Sequence, residues 1–163
     1  MKLKLLAQQL GEVLQAHGLR VVTAESCTGG WVATAITDIK GSSHWFERGF
    51  VTYSNEAKQE MLGVSSETLA CLGAVSEATV KEMAKGALLH SRAGISVAVS
   101  GIAGPAGGSP EKPVGTVWFA WALKTGGEWT ARECFAGDRE SVRKKSVKRA
   151  LQGLLDVLEQ PTA

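Results

Sequence analysis

The segment from Thr116 to Leu123 is apolar on both of its alternating faces, with Val117, Phe119 and Trp121 on one and Trp118, Ala120 and Ala122 on the other. A strand of that kind needs cover above and below, which a sheet with helices on both sides supplies. Ile95 to Ser100 reads as a second buried strand, and a Gly126-Gly127 turn joins the first to Trp129 to Phe135 as an antiparallel hairpin. Arg20 to Ala24 and Phe46 to Tyr53 complete the strands. Helical spacing accounts for the rest. Leu3, Leu6, Leu10, Val13 and Leu14 form a first amphipathic helix closed near Gly18, and Trp31, Val32, Ala35, Ile36 and Ile39 form another. Short helices follow Ser54 and the Ser65-Ser66 pair, and a clearer one follows Ser76. The last begins at Asp138, buries Val142, Val147, Leu151, Leu154, Leu155 and Leu158, and leaves Arg143, Lys144, Lys148 and Arg149 elsewhere on its surface. The expected fold is α/β, a three-layer α/β/α sandwich with a mixed β-sheet, formed by one domain over residues 1–163.

Composition narrows the classes of function. A formal charge of +2 and spread basic residues call for neither nucleic acid nor a membrane surface as partner. No apolar run approaches the ~20 residues that span a bilayer, and Gln8, Gln9 and Glu12 interrupt the N-terminal apolar stretch too soon for a secretory signal. A cytoplasmic protein is expected, with a homodimer as the default assembly. Cys27, Cys71 and Cys134 form no Cys-x-x-Cys pair, and His17, His44 and His90 are as scattered, so neither a metal nor a disulfide framework is expected.

Two loops stand out. Ala24-Glu25-Ser26-Cys27-Thr28-Gly29-Gly30 lies between a buried strand and a helix, where unpaired N–H groups and the positive end of the helix dipole suit a small anion. Ser26 would be presented there, or Ser26 or Thr28 would simply cap the helix. Gly101 to Pro113 is too long for a routine connection and follows a strand end. It carries neither Gly-x-Gly-x-x-Gly nor the Gly-Lys-Ser/Thr of a P-loop, so nucleoside triphosphate and dinucleotide cofactors lose support.

Three segments together resemble the CinA C-terminal domain family: Thr23-Ala24-Glu25-Ser26-Cys27-Thr28-Gly29-Gly30, Gly49-Phe50-Val51-Thr52-Tyr53-Ser54-Asn55-Glu56-Ala57-Lys58, and Ser100-Gly101-Ile102-Ala103-Gly104-Pro105. The similarity continues through Gly73-Ala74-Val75-Ser76, Lys112-Pro113-Val114-Gly115-Thr116-Val117 and Gly137-Asp138-Arg139. It implies hydrolysis of the carboxamide of nicotinamide mononucleotide to nicotinate mononucleotide and ammonia, within pyridine-nucleotide salvage and without a cofactor. The first domain of two-domain family members is not matched, so its pyrophosphatase activity is not expected here.

The residues accept these roles. A serine that attacks an amide needs a base, and no His lies in the three segments, which argues against a Ser-His-Asp triad. Lys58 would fall in the first turn of the helix after Ser54, where the dipole and partial burial favour a neutral amine, and the resemblance implies a Ser26-Lys58 dyad. Tyr53 is placed to relay a proton or bind substrate, and Ser100 to orient Lys58 or Ser26. Backbone N–H groups at Thr28, Gly29 and Gly30 would take the oxyanion or the substrate phosphate, the oxyanion being preferred. Asn55, Gly101 and Gly104 lie in the matched loops as substrate-binding positions, and Arg139 would pair with phosphate or carboxylate. Cys27 is the rival nucleophile. Trp31, Trp45 and Trp118 suit the core or an interface better than a pyridine ring. A non-catalytic regulatory module and an amidase or esterase for another substrate are the competing functions; nucleic-acid binding through the last helix is a weaker one.

Overall fold

The computed structural model describes residues 2–160. At its centre lie β1 (Val21–Glu25), β2 (Phe46–Val51), β3 (Ile95–Gly101), β4 (Thr116–Leu123) and β5 (Glu128–Cys134), in the spatial order β2-β1-β3-β4-β5. β1 runs parallel to β2 and β3, while β4 is antiparallel to β3 and β5, so the sheet is mixed. The two apolar faces of β4 divide the interior. Val117, Phe119 and Trp121 join the core shared with α1 (Leu3–His17), α2 (Trp31–Thr37) and α6 (Arg139–Leu158). Ala120, Ala122 and the half-buried Trp118 join the core under α3 (Asn55–Leu62), α4 (Ser66–Leu72) and α5 (Glu77–Leu89). These are the three layers that the alternation predicts.

Local chemistry sets the helix ends. Gly18 closes α1 in the left-handed region, at φ 65°, where a side chain would be strained. Ser54, Ser65, Ser76 and Asp138 accept hydrogen bonds from first-turn N–H groups of α3, α4, α5 and α6. The strand expected to reach Tyr53 stops at Val51: the Thr52 N–H donates to the Glu25 carbonyl at 2.8 Å, and two residues later Ser54 starts α3.

The parallel trio β2-β1-β3 has one functional consequence: its three carboxyl ends open on the same edge of the sheet, the usual place for a ligand in an open α/β sheet. α3 leaves this edge, and its far end rests on α5 at Gly86. A Cβ there would fall on the Leu62 carbonyl oxygen, a backbone atom that cannot swing aside. Gly86→Ala is therefore expected to destabilise by about 1–3 kcal/mol of overpacking, against which the better helix propensity of Ala returns at most about 1 kcal/mol. Urea unfolding reads the loss, and a variant as stable as wild type would show that α3 shifts freely on α5.

Candidate active site

A cavity of about 290 Å³ lies where the three strands end. Ser26 enters it from the end of β1; Tyr53, Asn55 and Lys58 from the β2-to-α3 junction; Ser100, Gly101 and Gly104 from β3 and the loop after it; and Arg139 from the start of α6. Segments up to 113 residues apart in sequence, Ser26 to Arg139, thus share one site. Arg139 ties two of its walls together, donating from Nη1 to the Gly104 carbonyl at 2.9 Å and from Nη2 to the Tyr53 hydroxyl at 3.3 Å.

Lys58 lies at the back of this cavity with only 1% of its surface exposed. Its Nζ donates to Ser26 Oγ at 3.0 Å, to the Thr52 carbonyl at 2.9 Å and to the Tyr53 carbonyl at 3.2 Å. No carboxylate is among these partners. Burial is the main influence on the amine and holds its pKa below the ordinary 10.5, with the Cys27 sulfur pulling weakly the other way. A neutral amine has two N–H groups and one lone pair. Were Lys58 neutral, the two carbonyls would take the former, and the lone pair would be free to accept from the Ser26 hydroxyl, reversing the donor and acceptor of the 3.0 Å contact. Cys27 also reaches the cavity, but burial pushes its thiol up to about 11, so it stays protonated near neutrality. Ser100 lines the cavity, yet Lys58 Nζ donates to Ser26 Oγ and to the Thr52 and Tyr53 carbonyls rather than to Ser100.

The turn after Ser26 is built differently from what the sequence suggests. Thr28, Gly29 and Gly30 are not among the cavity residues. The start of α2 is already occupied by the chain's own anion. Glu25, 1% exposed, accepts from Thr28 Oγ1 at 2.6 Å, from the Val32 N–H at 2.8 Å and from the Ala33 N–H at 3.0 Å. A ligand anion has no claim on those amides. The Gly29 N–H turns back to the Ser26 carbonyl at 3.0 Å. Arg143 holds the other side of the turn: Nε donates to the Cys27 carbonyl at 3.0 Å and Nη2 to the Thr28 carbonyl at 3.2 Å, with the guanidinium 5.6 Å from the Trp31 ring centre. Sequence reading missed both residues. An acid at the end of the strand that leads through a short turn into a helix was the available sign for Glu25, and the four-residue step from Arg139 to Arg143, which puts them on one helix face, the sign for Arg143.

The model of the CinA C-terminal domain matches residues 3–158. The chain belongs to the CinA C-terminal domain family. Within that family it is 62% identical to the nicotinamide-nucleotide amidohydrolase PncC of Escherichia coli strain K12, over 96% of this chain and 95% of that protein. It is 53% identical to the protein of the same name from Pseudomonas putida, over 93% of this chain and 94% of the relative. Among solved CinA structures, the competence damage-inducible protein A (ComA) of Klebsiella pneumoniae superposes with a TM-score of 0.95 at 45% identity, covering 99% of this chain and all of that one. The competence/damage inducible protein CihA of Agrobacterium tumefaciens gives 0.93 at 48% identity, covering 97% and 96%.

In this CinA domain the tryptophans lie away from the cavity: Trp45 is buried against Gly11, Trp118 packs under α5, and Trp31 lies beneath Arg143. Among the described residues, no group of three or more His, Cys, Asp or Glu is placed to hold a metal ion, and no helix is long and apolar enough to cross a membrane.

Proposed function

We propose that this chain is a nicotinamide-nucleotide amidase that hydrolyses nicotinamide mononucleotide to nicotinate mononucleotide and ammonia through a Ser26-Lys58 dyad, as a step of pyridine-nucleotide salvage. The observation that carries the reading is the buried 3.0 Å contact between Lys58 Nζ and Ser26 Oγ inside the cavity, in a chain 62% identical to a protein named for that hydrolysis. Ser26 Oγ adds to the carboxamide carbon while its proton passes to Lys58 Nζ. The tetrahedral intermediate then collapses, the C–N bond breaks, and Lys58 returns the proton to the departing ammonia. Water, deprotonated by the same amine, cleaves the resulting ester and regenerates Ser26.

The oxyanion falls to the main-chain N–H that follows Ser26, because the Ser26 N–H is engaged by the Val99 carbonyl and that of Gly29 by Ser26 itself. Ser100 and the Gly101 and Gly104 backbone shape the wall against which the substrate lies, and Asn55 offers an amide at its edge. The substrate phosphate belongs at Arg139, whose guanidinium is exposed at the rim and keeps N–H groups free beyond the two it uses. Arg139→Met is accordingly expected to raise KM by about 10- to 100-fold, the worth of a hydrogen bond to a charged group, with a smaller change in kcat. An unchanged KM would move the phosphate elsewhere. The same reading places a homodimer in the cytoplasm, with no nucleic acid or membrane as partner.

The deciding experiment is ammonia release from nicotinamide mononucleotide by the purified chain without added metal. One ammonia per nicotinate mononucleotide formed supports the proposal. Binding without release would overturn it in favour of a non-catalytic module, and release only from other amides would keep the dyad and change the substrate.

A further inference from the structure

We propose that Arg143, which lies outside the cavity, is a positioning residue that holds the Ser26 nucleophile in place by clamping the turn after it; the inference rests on the reading of Ser26 as nucleophile. Ser26 sits between β1 and α2, and only a short turn separates the two elements. Glu25 fixes the N–H side of this turn through Thr28 Oγ1 and two amides of α2. Arg143 fixes the carbonyl side through two successive peptide oxygens, those of Cys27 and Thr28. In a trans peptide the N–H points opposite to the C=O. Gripping these carbonyls therefore orients the amides on either side of Thr28, including the Gly29 N–H that closes onto the Ser26 carbonyl.

The clamp is rigid because its own support is rigid. Val142, Ser146 and Val147, around Arg143 on α6, are fully buried, and Trp31 braces the guanidinium plane. One turn earlier on the same helix, Arg139 reaches the Gly104 carbonyl and the Tyr53 hydroxyl. α6 thus holds the β1 end through one arginine and the other two walls of the cavity through another. A lysine at 143 would supply a point charge where a planar fork spans two carbonyls.

The test compares wild type with Arg143→Gln and Arg143→Lys in two assays: steady-state ammonia release from nicotinamide mononucleotide, and the rate at which a fluorophosphonate labels Ser26. Arg143→Gln is expected to lose about 100-fold in kcat, the effect of a misplacement near 1 Å, with KM little changed because Arg143 does not line the cavity. Labelling should slow in parallel, Arg143→Lys should fall between the two, and added methylguanidinium should restore part of the lost rate to Arg143→Gln. Wild-type labelling and kcat in Arg143→Gln would overturn the proposal, as would a loss confined to KM. Should the glutamine variant fail to fold, Trp31→Leu, which removes the brace and keeps the clamp, is expected to slow labelling, and an unchanged rate would again overturn it. Failure of the amidase reading would show instead in the wild type, as labelling without ammonia release, with the variant-to-wild-type labelling ratio still measuring the clamp.

Discussion

Ser26→Ala is expected to abolish ammonia release, a loss on the order of 10⁶-fold if Ser26 is the activated nucleophile of a hydrolase, whereas Cys27→Ala is expected to keep it. The two residues are adjacent and both reach the cavity, so proximity does not separate them. Their environments do. Ser26 Oγ lies 3.0 Å from a buried amine whose pKa is lowered, while the Cys27 thiol is pushed up to about 11 by burial. At pH 7 the thiolate fraction would be on the order of 10⁻⁴, which outweighs the greater intrinsic nucleophilicity of sulfur. Cys27→Ala removes the thiol and leaves the main-chain N–H where the oxyanion is proposed to bind. Rapid quenching of wild type with substrate followed by mass spectrometry would locate an acyl group on Ser26. An adduct on Cys27, or full activity in Ser26→Ala, would sink the serine mechanism.

Much of the architecture was legible because both faces of β4 are apolar: Val117, Phe119 and Trp121 toward α6, and Ala120, Ala122 and Trp118 toward α5. The caps at Ser54, Ser76 and Asp138 were equally plain, since a short oxygen-bearing side chain before an apolar period has few other uses. The site was legible only in part. Ser26 and Lys58 could be nominated from neighbouring motifs, but their 3.0 Å contact depends on β1 and β2 being parallel neighbours, a pairing that local patterning does not encode. The turn misled for a more specific reason. A helix start rich in glycine looks vacant to an anion until the preceding side chain is placed, and Glu25 fills it from within. Arg143 read as one more solvated cation because its partners are carbonyl oxygens 115 and 116 residues away, which carry no signature in side-chain identity.

Lys58→Met is expected to lower kcat/KM by about 10²- to 10⁴-fold, the contribution of a positioned base, and Lys58→Arg should not restore it because a guanidinium stays protonated. In wild type the rate should climb with pH as the amine loses its proton, with the inflection below the 10.5 of an ordinary lysine, since burial favours the neutral form. The same shift reaches stability. Between the lowered pKa of the folded state and 10.5, the unfolded chain binds a proton that the folded chain does not, so stability rises with pH across that window. Below the window both states carry the proton, and the folded state bears the full cost of burying the charge. Lys58→Met should therefore flatten the pH dependence of the urea midpoint as well as the rate. If wild type and variant gave parallel stability curves, Lys58 would titrate as a solvated lysine, its burial against the Thr52 and Tyr53 carbonyls would have no effect on its proton, and the base would have to be sought elsewhere in the cavity.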